Sequence, residues 1–461
     1  MSEKKIPTMS IPLEDSRAPY VLGLDVGSTA SRGGLYDASG RPVKGSKQRI
    51  SHDFTTSADG TSAIDADQVA EECREVVSEI VAFARDNDLE IATVAMDSFA
   101  SSFVLVDASG NALGRALTYA DSRCAPYVTR LREQIDEAEY HWRTGVRLHT
   151  SYHPAKLAWV QAEHPELWSQ TETVMTIGEY VYLRLADIRG LATSTAAWSG
   201  VCDLRTGELD EGILAAVGVD KRYFSELRDP SEPAFPGDTQ WAELNDKPWL
   251  HAIPDGWPSN VGSGAVDETT VAVAAATSGA LRVILAECPG RVPEGLWCYR
   301  LSAKQWIVGG ALNDVGRGVS WLERVLAPVE AGELAGVLAA APSRDTPAVL
   351  PFFSGERATG WAADAKASFV DVTDDTSALD LWHGAHRAEG HRRRWRACHS
   401  PVRRGARAAS RACGVLRGAG REVREAVRAA GVTSGGWADV RRRRRTARAR
   451  VGRRGRSRTS S

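Results

Sequence analysis

The sequence predicts an α/β protein made of two similar halves, and three observations predict it. Residues 20–96 read in the order strand, strand, strand, helix, strand, which is the order of a ribonuclease-H-like half. Residues 271–326 restart the theme as strand, turn, strand, strand and helix. Two hydroxyl-rich turns, Gly27-Ser28-Thr29 and Ala276-Thr277-Ser278-Gly279, stand at corresponding places between apolar strands. A boundary is expected near Gly262, and 461 residues leave room for two or three domains.

Each element has a local reason. YVLGLD at 20–25 is a short apolar run that ends in a carboxylate, as a buried strand does, and Ser31 to Tyr36 returns from the Gly-Ser-Thr turn. A third strand is expected from Pro42 to Ile50, after the DASG turn. Asp65 is the expected N-cap of a helix whose Val69, Cys73, Val76, Val77, Ile80, Val81 and Ala84 share one face. IATVAM at 91–96 reads as a strand, FVLVDASGNAL as a hairpin turning at 107–110, and 129–185 as mainly helical. In the second half, VAVAAATSGALRVIL gives strand, turn and strand; KQWIVGGAL gives another strand, and residues 315–326 a helix.

Composition narrows the function classes. Apolar residues at 43% and charged residues at 25% are ordinary for globular protein. The most apolar run, 271–286, is interrupted by Thr277, Ser278, Gly279 and Arg282, so no membrane span is expected. The polar amino terminus lacks a signal-peptide core and implies a cytoplasmic protein. Seven cysteines, an odd number without a CxxC pair, make a disulfide framework or a zinc ribbon improbable. There is no GxxxxGK[ST], HExxH or GxSxG, so nothing supports a P-loop nucleotidase, a zincin or an α/β-hydrolase. The 14 tryptophans are scattered, as packing residues are.

The net charge of −2 hides two compositions. Residues 383–461 hold 24 Arg, no Lys and 4 acidic residues, a net of +20, against −22 for the rest. This tail also lacks Ile, Phe, Tyr, Asn and Gln, and no apolar periodicity runs through it, so it is expected to be disordered. Two accounts stand beside each other: a basic arm that binds nucleic acid or another polyanion without sequence preference, or the product of a shifted reading frame in a GC-rich gene.

The most informative segment is LGLDVGSTASRGGLYDASG. A carboxylate closing a strand before a Gly-Ser-Thr turn offers backbone N–H groups and hydroxyls to phosphate oxygens, with Asp25 able to hold a hydrated Mg²⁺ through its waters. The alternative is a polar hairpin turn. Further pieces follow: DSFASSFVLVDASGNALGRALTYADSR, SYHPAKLAWV, DGWPSNVGSGAVDETTVAVAAATSGALRV, GGALNDVGRGVSWL and PFFSGERATGW. In this order, over 20–382, the chain resembles the FGGY carbohydrate kinases, nearest to their gluconate-kinase-like branch.

The resemblance implies two actin-like domains around a cleft, a sugar-binding domain at 20–262 and an ATP-binding domain at 263–382, the latter incomplete, following a polar leader at 1–19. It implies ATP-dependent phosphorylation of a sugar or sugar acid with Mg²⁺, and a homodimer among the expected assemblies. Asp255 is the implied catalytic base, with Asp25 at the metal. Gly27, Ser28, Thr29, Thr277, Ser278, Gly279, Gly309 and Gly310 are the implied ATP and phosphate contacts, and Ser98, Ser101, Asp121 and Arg123 the substrate contacts. His153 and Lys156 are expected to pack and cap a helix. Three positions depart from the family pattern: Pro254 where many members have Gly, Ala276 for the first glycine of the second turn, and Ser101 where a His is common. The resemblance stops near Trp382, before the segments that hold adenosine, which implies impaired nucleotide binding. A sugar-binding pseudokinase and a polyanion-binding protein are the alternatives from other classes.

Overall fold

The computed structural model describes residues 10–275, 278–340, 346–353, 355–362 and 365–390. Its first sheet is built on β1 (Tyr20–Val26), which pairs antiparallel with β2 (Ala30–Tyr36) and parallel with β4 (Ile91–Ser98). β3 (Gln48–Ser51) extends the β2 edge. Beyond β4 lie β5 (Pro233–Ala234) and β6 (Trp249–Leu250), and β7 (Ile253–Pro254) also pairs parallel with β4. The third strand is shorter than expected. Pro42 lacks an N–H, Gly45 takes φ +94°, and the Ser46 hydroxyl accepts the Leu35 N–H at 2.9 Å in place of a ladder bond.

Helix α1 (Ala66–Asp86) covers one face of this sheet. The Asp65 carboxylate accepts the N–H groups of Asp67 and Gln68, and all seven residues of the expected apolar face are buried. Gly33 of β2 allows the close approach: a Cβ there would meet Ile80 Cδ1 and Val76 Cγ1, each at 2.8 Å. At about 1.5–3 kcal/mol for each fully buried aliphatic side chain, this face is a principal source of stability for the first half.

The second half is built on a four-stranded antiparallel sheet. β8 (Ala272–Ala275) pairs with β9 (Gly279–Leu285), which pairs with β11 (Gln305–Leu312), which pairs with β10 (Trp297–Ser302). The apolar core does not divide at Gly262. One cluster joins Tyr140, Tyr152, Leu157 and Trp198 of the first half to Ile284, Trp297, Tyr299 and Ile307 of the second. Polar bonds reinforce it along β10: Cys298 N–H donates to Gly145 O at 2.9 Å, and the Tyr152 and Tyr299 hydroxyls bond at 2.8 Å. His141 Nε2 meets Leu296 O at 2.9 Å just before β10, and Trp306 Nε1 donates to Leu204 O at 2.8 Å.

A helix from Ala378 to Gly390 runs through the point where a disordered tail was expected to begin. His383 and Ala385 are buried with Trp382, and Gly384 lies so close to Pro347 that a Cβ would stand 2.5 Å from its carbonyl oxygen. The described fold therefore continues through 383–390; the rest of the Arg-rich segment, 391–461, lies outside the described residues. Among the described residues no helix is long and apolar enough to cross a membrane.

Replacing Ile80 with Ala deletes fully buried methyl groups at the α1–β2 contact. The expected cost is about 2–5 kcal/mol, measured as a lower urea midpoint at unchanged slope.

Candidate active site

Strand register builds the site. In the parallel pairing of β1 with β4, Asp25 stands opposite Asp97; in that of β7 with β4, Ile253 stands opposite Asp97 and Pro254 opposite Ser98. The next residue, Asp255, donates its N–H to Ser98 O at 3.0 Å. Three carboxylates thus gather at the carboxyl ends of three neighbouring parallel strands. Such ends are where open α/β sheets place their ligands. α3 (Gly256–Gly262) begins directly after Asp255.

The cluster is electrostatically loaded. Burial pushes Asp97 up to about 8, helped by the charges of Asp25 and Asp255 and opposed by Arg32. Asp255 is open to solvent yet ringed by protein; burial raises it to about 6, against the pull of Arg282 and with a push from Asp25. Asp25 is raised by burial and held back by Arg32, whose Nη2 lies 2.9 Å from Asp25 Oδ2. Asp97 is a residue that sequence reasoning missed. It opens the DSFASS segment, but only the pairing with Asp25, 72 positions away, gives it meaning.

The first turn is fixed from beneath by a buried polar chain. Ser31 Oγ donates to Glu72 Oε2 at 2.9 Å, Glu72 Oε2 lies 2.7 Å from His52 Nδ1, and His52 Nε2 lies 2.9 Å from Gly27 O. Gly27 N–H donates to Ala30 O, and the space beside its Cα is filled: a Cβ would lie 2.7 Å from Arg32 Nη2 and 3.3 Å from Asp25 Oδ1. Ser28 lies beside the Tyr119 phenol, and Thr29 is exposed. The Gly27–Thr29 turn and Asp25 are therefore brought together with Asp97, Asp255 and Tyr119.

In the second turn, Ser278 is exposed, and Gly279 has no room for a side chain because Val315 Cγ2 would lie 2.6 Å from its Cβ. Thr277 lies outside the described residues. Gly309 and Gly310 depart from the expected phosphate role. They are buried inside β11, opposite Arg282 and Leu281, and a Cβ would strike Leu281 O and the Trp297 ring at Gly309 or Ala358 at Gly310. Packing between strands accounts for both glycines.

The expected substrate contacts divide. Ser98 supports Asp255 through its carbonyl. Ser101, at φ +56°, donates its hydroxyl to Trp198 O at 2.6 Å, in the helix α2 (Thr193–Ser199). Asp121 is not brought to the carboxylate cluster: fully buried, it accepts the Ser62 N–H at 3.0 Å and pairs with Arg123 Nη2 at 2.8 Å. Arg123 in turn lies over the Trp159 ring. His153 packs edge-on against Phe103, and the fully buried Lys156 Nζ donates to the carbonyls of Ser101, Thr118 and Ser151. Lys156 thereby ties together the loops around the site.

Two cations from the second half complete the surroundings, and neither was singled out from the sequence. Arg282 of β9 lies against Gly256, and Arg357 belongs to the GERATGW segment. A cavity of about 490 Å³ near the β10–β11 turn, lined by Asp229, His251, Trp257 and Lys304, contains none of the three carboxylates and is separate from the site. Among the described residues no three His, Cys, Asp or Glu side chains are grouped to hold a metal ion directly.

Asp97→Asn tests the electrostatic picture. Because the folded-state value of Asp97 is raised, the folded protein holds more protons than the unfolded chain from about pH 4 to pH 8, and stability falls as pH rises through that window. The melting temperature of the variant, relative to the parent, is expected to be higher at pH 8 than at pH 5 by several degrees; a pH-independent gap would contradict the loaded cluster.

Residues 20–243 match the family model described as the N-terminal domain of the FGGY family of carbohydrate kinases. The chain is 25% identical to a gluconokinase of Bacillus licheniformis over 370 residues, covering 77% of this chain and 71% of that protein. Among solved structures it resembles a gluconate kinase and a ligand-bound xylulose kinase, both from Lactobacillus acidophilus, each at TM-score 0.74 and 25% identity, covering 80% of this chain and 76% of theirs. Residues 20–243 thus carry the N-terminal domain of the FGGY carbohydrate kinases, phosphotransferases that act on an alcohol group, and the chain as a whole is similar to the gluconate and xylulose kinases of that kind.

Proposed function

We propose that this chain transfers the γ-phosphoryl group of ATP to a hydroxyl of a sugar acid or ketose of the gluconate or ketopentose type. The observation that carries the reading is Asp255, an accessible carboxylate raised to about 6 and pinned by its own N–H to the strand that bears Asp97. A carboxylate at that value is mostly ionised at neutral pH and still basic enough to accept the hydroxyl proton. The new bond forms between the sugar oxygen and the γ-phosphorus, the bond to the bridging oxygen of ADP breaks, and the sugar proton passes to Asp255.

In this reading residues 20–262 seat the acceptor and 263–382 the nucleotide. The Gly27–Thr29 turn and Ser278, with Thr277, grip phosphate oxygens through N–H groups and hydroxyls. The donor set fits a Mg²⁺ that keeps most of its waters, since carboxylate oxygens are present but, among the described residues, no closed cage is. Asp25 would hold that ion through its waters, and when bound the ion would neutralise phosphate charge. Residues 383–461 lack the family's adenosine-binding pattern, so nucleotide affinity is expected to be weak.

Asp255→Asn is expected to lower kcat about a hundred- to ten-thousandfold with sugar affinity nearly unchanged, in a coupled ADP-release assay over gluconate, xylulose, ribulose and glycerol. In the parent, kcat should fall about tenfold per pH unit below about pH 6, where Asp255 becomes protonated, and a flat profile would move the base elsewhere. Asp25→Ala should raise the Mg²⁺ concentration needed for half-maximal rate roughly tenfold or more; an unchanged metal dependence would remove Asp25 from that role.

A further inference from the structure

Residues 355–358 run beside the second turn. Ala358 N–H donates to Ala311 O at 3.0 Å, Asn313 Nδ2 donates to Gly355 O at 3.2 Å, and Leu312 pairs with Gly279 of the turn. Arg357 lines a small cavity there with Leu312, Asp314 and Val315, and Val315 is the side chain that closes on Gly279. The Nε of Arg357 is buried without a hydrogen-bond partner. Both carboxylates of that cavity are engaged elsewhere: Glu356 Oε1 accepts the Gly360 N–H at 3.0 Å, and Asp314 Oδ1 lies 3.6 Å from Arg317 Nε. Arg282, the other cation of this half near the site, answers the charge of Asp255. A cation kept in protein surroundings without its own counter-ion is costly, and an anion brought from outside relieves that cost.

The charge of Arg357 reaches the first half. Burial holds the Tyr119 phenol above its ordinary value, with a push from Asp255 and against the pull of Arg357 and Arg317; the same phenol bonds to Ser28 of the first turn. Arg357 is thus carried beside the second turn and acts on a residue that touches the first turn and lies within the field of the base. Arg317 is less suited to an incoming anion, since its side chain is about half exposed and already lies beside Asp314. The group that belongs between two hydroxyl-rich turns and a base is a phosphoryl group in transit. Its charge is spread over three oxygens, and a guanidinium fork can meet two of them at once.

We infer that Arg357 is a catalytic residue whose guanidinium engages the non-bridging oxygens of the γ-phosphoryl group between the second turn and Asp255. As the bond from phosphorus to the ADP oxygen breaks and the bond to the sugar oxygen forms, these oxygens keep their negative charge and Arg357 stabilises it. Arg357 exchanges no proton; the sugar proton passes to Asp255. The inference rests on the kinase reading above and deepens it.

Calorimetric titration of the full chain with MgATP and with MgADP, beside the coupled ADP-release assay, tests the inference. Arg357→Met is expected to weaken MgATP binding at least tenfold and to leave MgADP binding within about twofold. It should lower kcat about a hundred- to thousandfold with sugar affinity unchanged, and Arg357→Lys should recover part of the rate. Thermal unfolding checks that the variants fold; if Arg357→Met does not, Arg357→Lys carries the same comparison of ATP with ADP. Equal losses for the two nucleotides, or unchanged ATP binding in a folded variant, overturns the inference. So does a loss confined to sugar affinity, which would move Arg357 to the acceptor. If the parent phosphorylates a sugar and Arg357→Met turns over at the parental rate, the inference fails and the kinase reading stands. If the parent binds nucleotide but transfers phosphate to no compound of the panel, both fail together.

Discussion

The parallel register of β1 on β4 is the constraint on which the site depends. It sets Asp25 beside Asp97, and the pairing of β7 on β4 delivers Asp255 to the same end. Three like-charged groups in partly buried surroundings repel one another, and the protein answers in two ways. It lets Asp97 keep its proton near neutral pH, and it places Arg32 against Asp25 and Arg282 near Asp255. A small shift of the β1–β4 register would separate the pair; a one-residue slip would turn Asp25 to the opposite face and end the arrangement. The fold therefore has to be stable enough to hold an unfavourable cluster, and the α1 face supplies much of that stability.

The polar groups beneath the first turn follow the same logic. Both ring nitrogens of His52 face oxygens, Glu72 on one side and the Gly27 carbonyl on the other, so the ring is held from both sides. Glu72 is further tied by Ser31 and Gln68. A turn whose carbonyl is tethered in this way presents its N–H groups in a fixed direction, which is the property a phosphate-gripping loop requires. The three carboxylates of the site come from the first half together with Arg32, and Arg282 of the second half lies near Asp255.

Much of the fold was legible because it is local. β1, β2 and α1 declare themselves by period and by the Asp65 cap, and the structure forms them within a residue or two of expectation. The third strand misled because Pro42 and Gly45 interrupt an otherwise extended stretch, and the Ser46 hydroxyl, not the sequence pattern, decides where pairing resumes. The site was legible only where its residues sit in turns. Asp25, the Gly27–Thr29 turn and Asp255 carry local signals. Asp97 looks like any residue at the end of a strand until its partner is known, and Arg282 looks like the polar member of an alternating strand until its Nε is found buried and unpaired. Gly309 and Gly310 misled in the opposite sense: paired glycines suggest a phosphate loop, yet here they make room for Trp297 and Ala358.

The bonds that fasten β10 to the first half bear on how the second sheet can move. Gly145 O accepts the Cys298 N–H, and a Cβ on Gly145 would stand within 2.1 Å of Cys298 O, so backbone meets backbone there without a spacer. With the Tyr152–Tyr299 contact, this edge of the second sheet belongs mechanically to the first half. The pivot is then β10, and the second turn, two to three strands away at about 4.8 Å each, is the end of a lever some 12 Å long. Swinging that lever by about 10° carries Ser278 through about 2 Å, enough to make or break a hydrogen bond to a phosphate oxygen, while the β10 edge stays in place. A fastening of this kind acts as an axle: displacement falls at the second turn, where phosphate is proposed to be gripped, and the stacked Trp198 and Tyr299 rings stay in place.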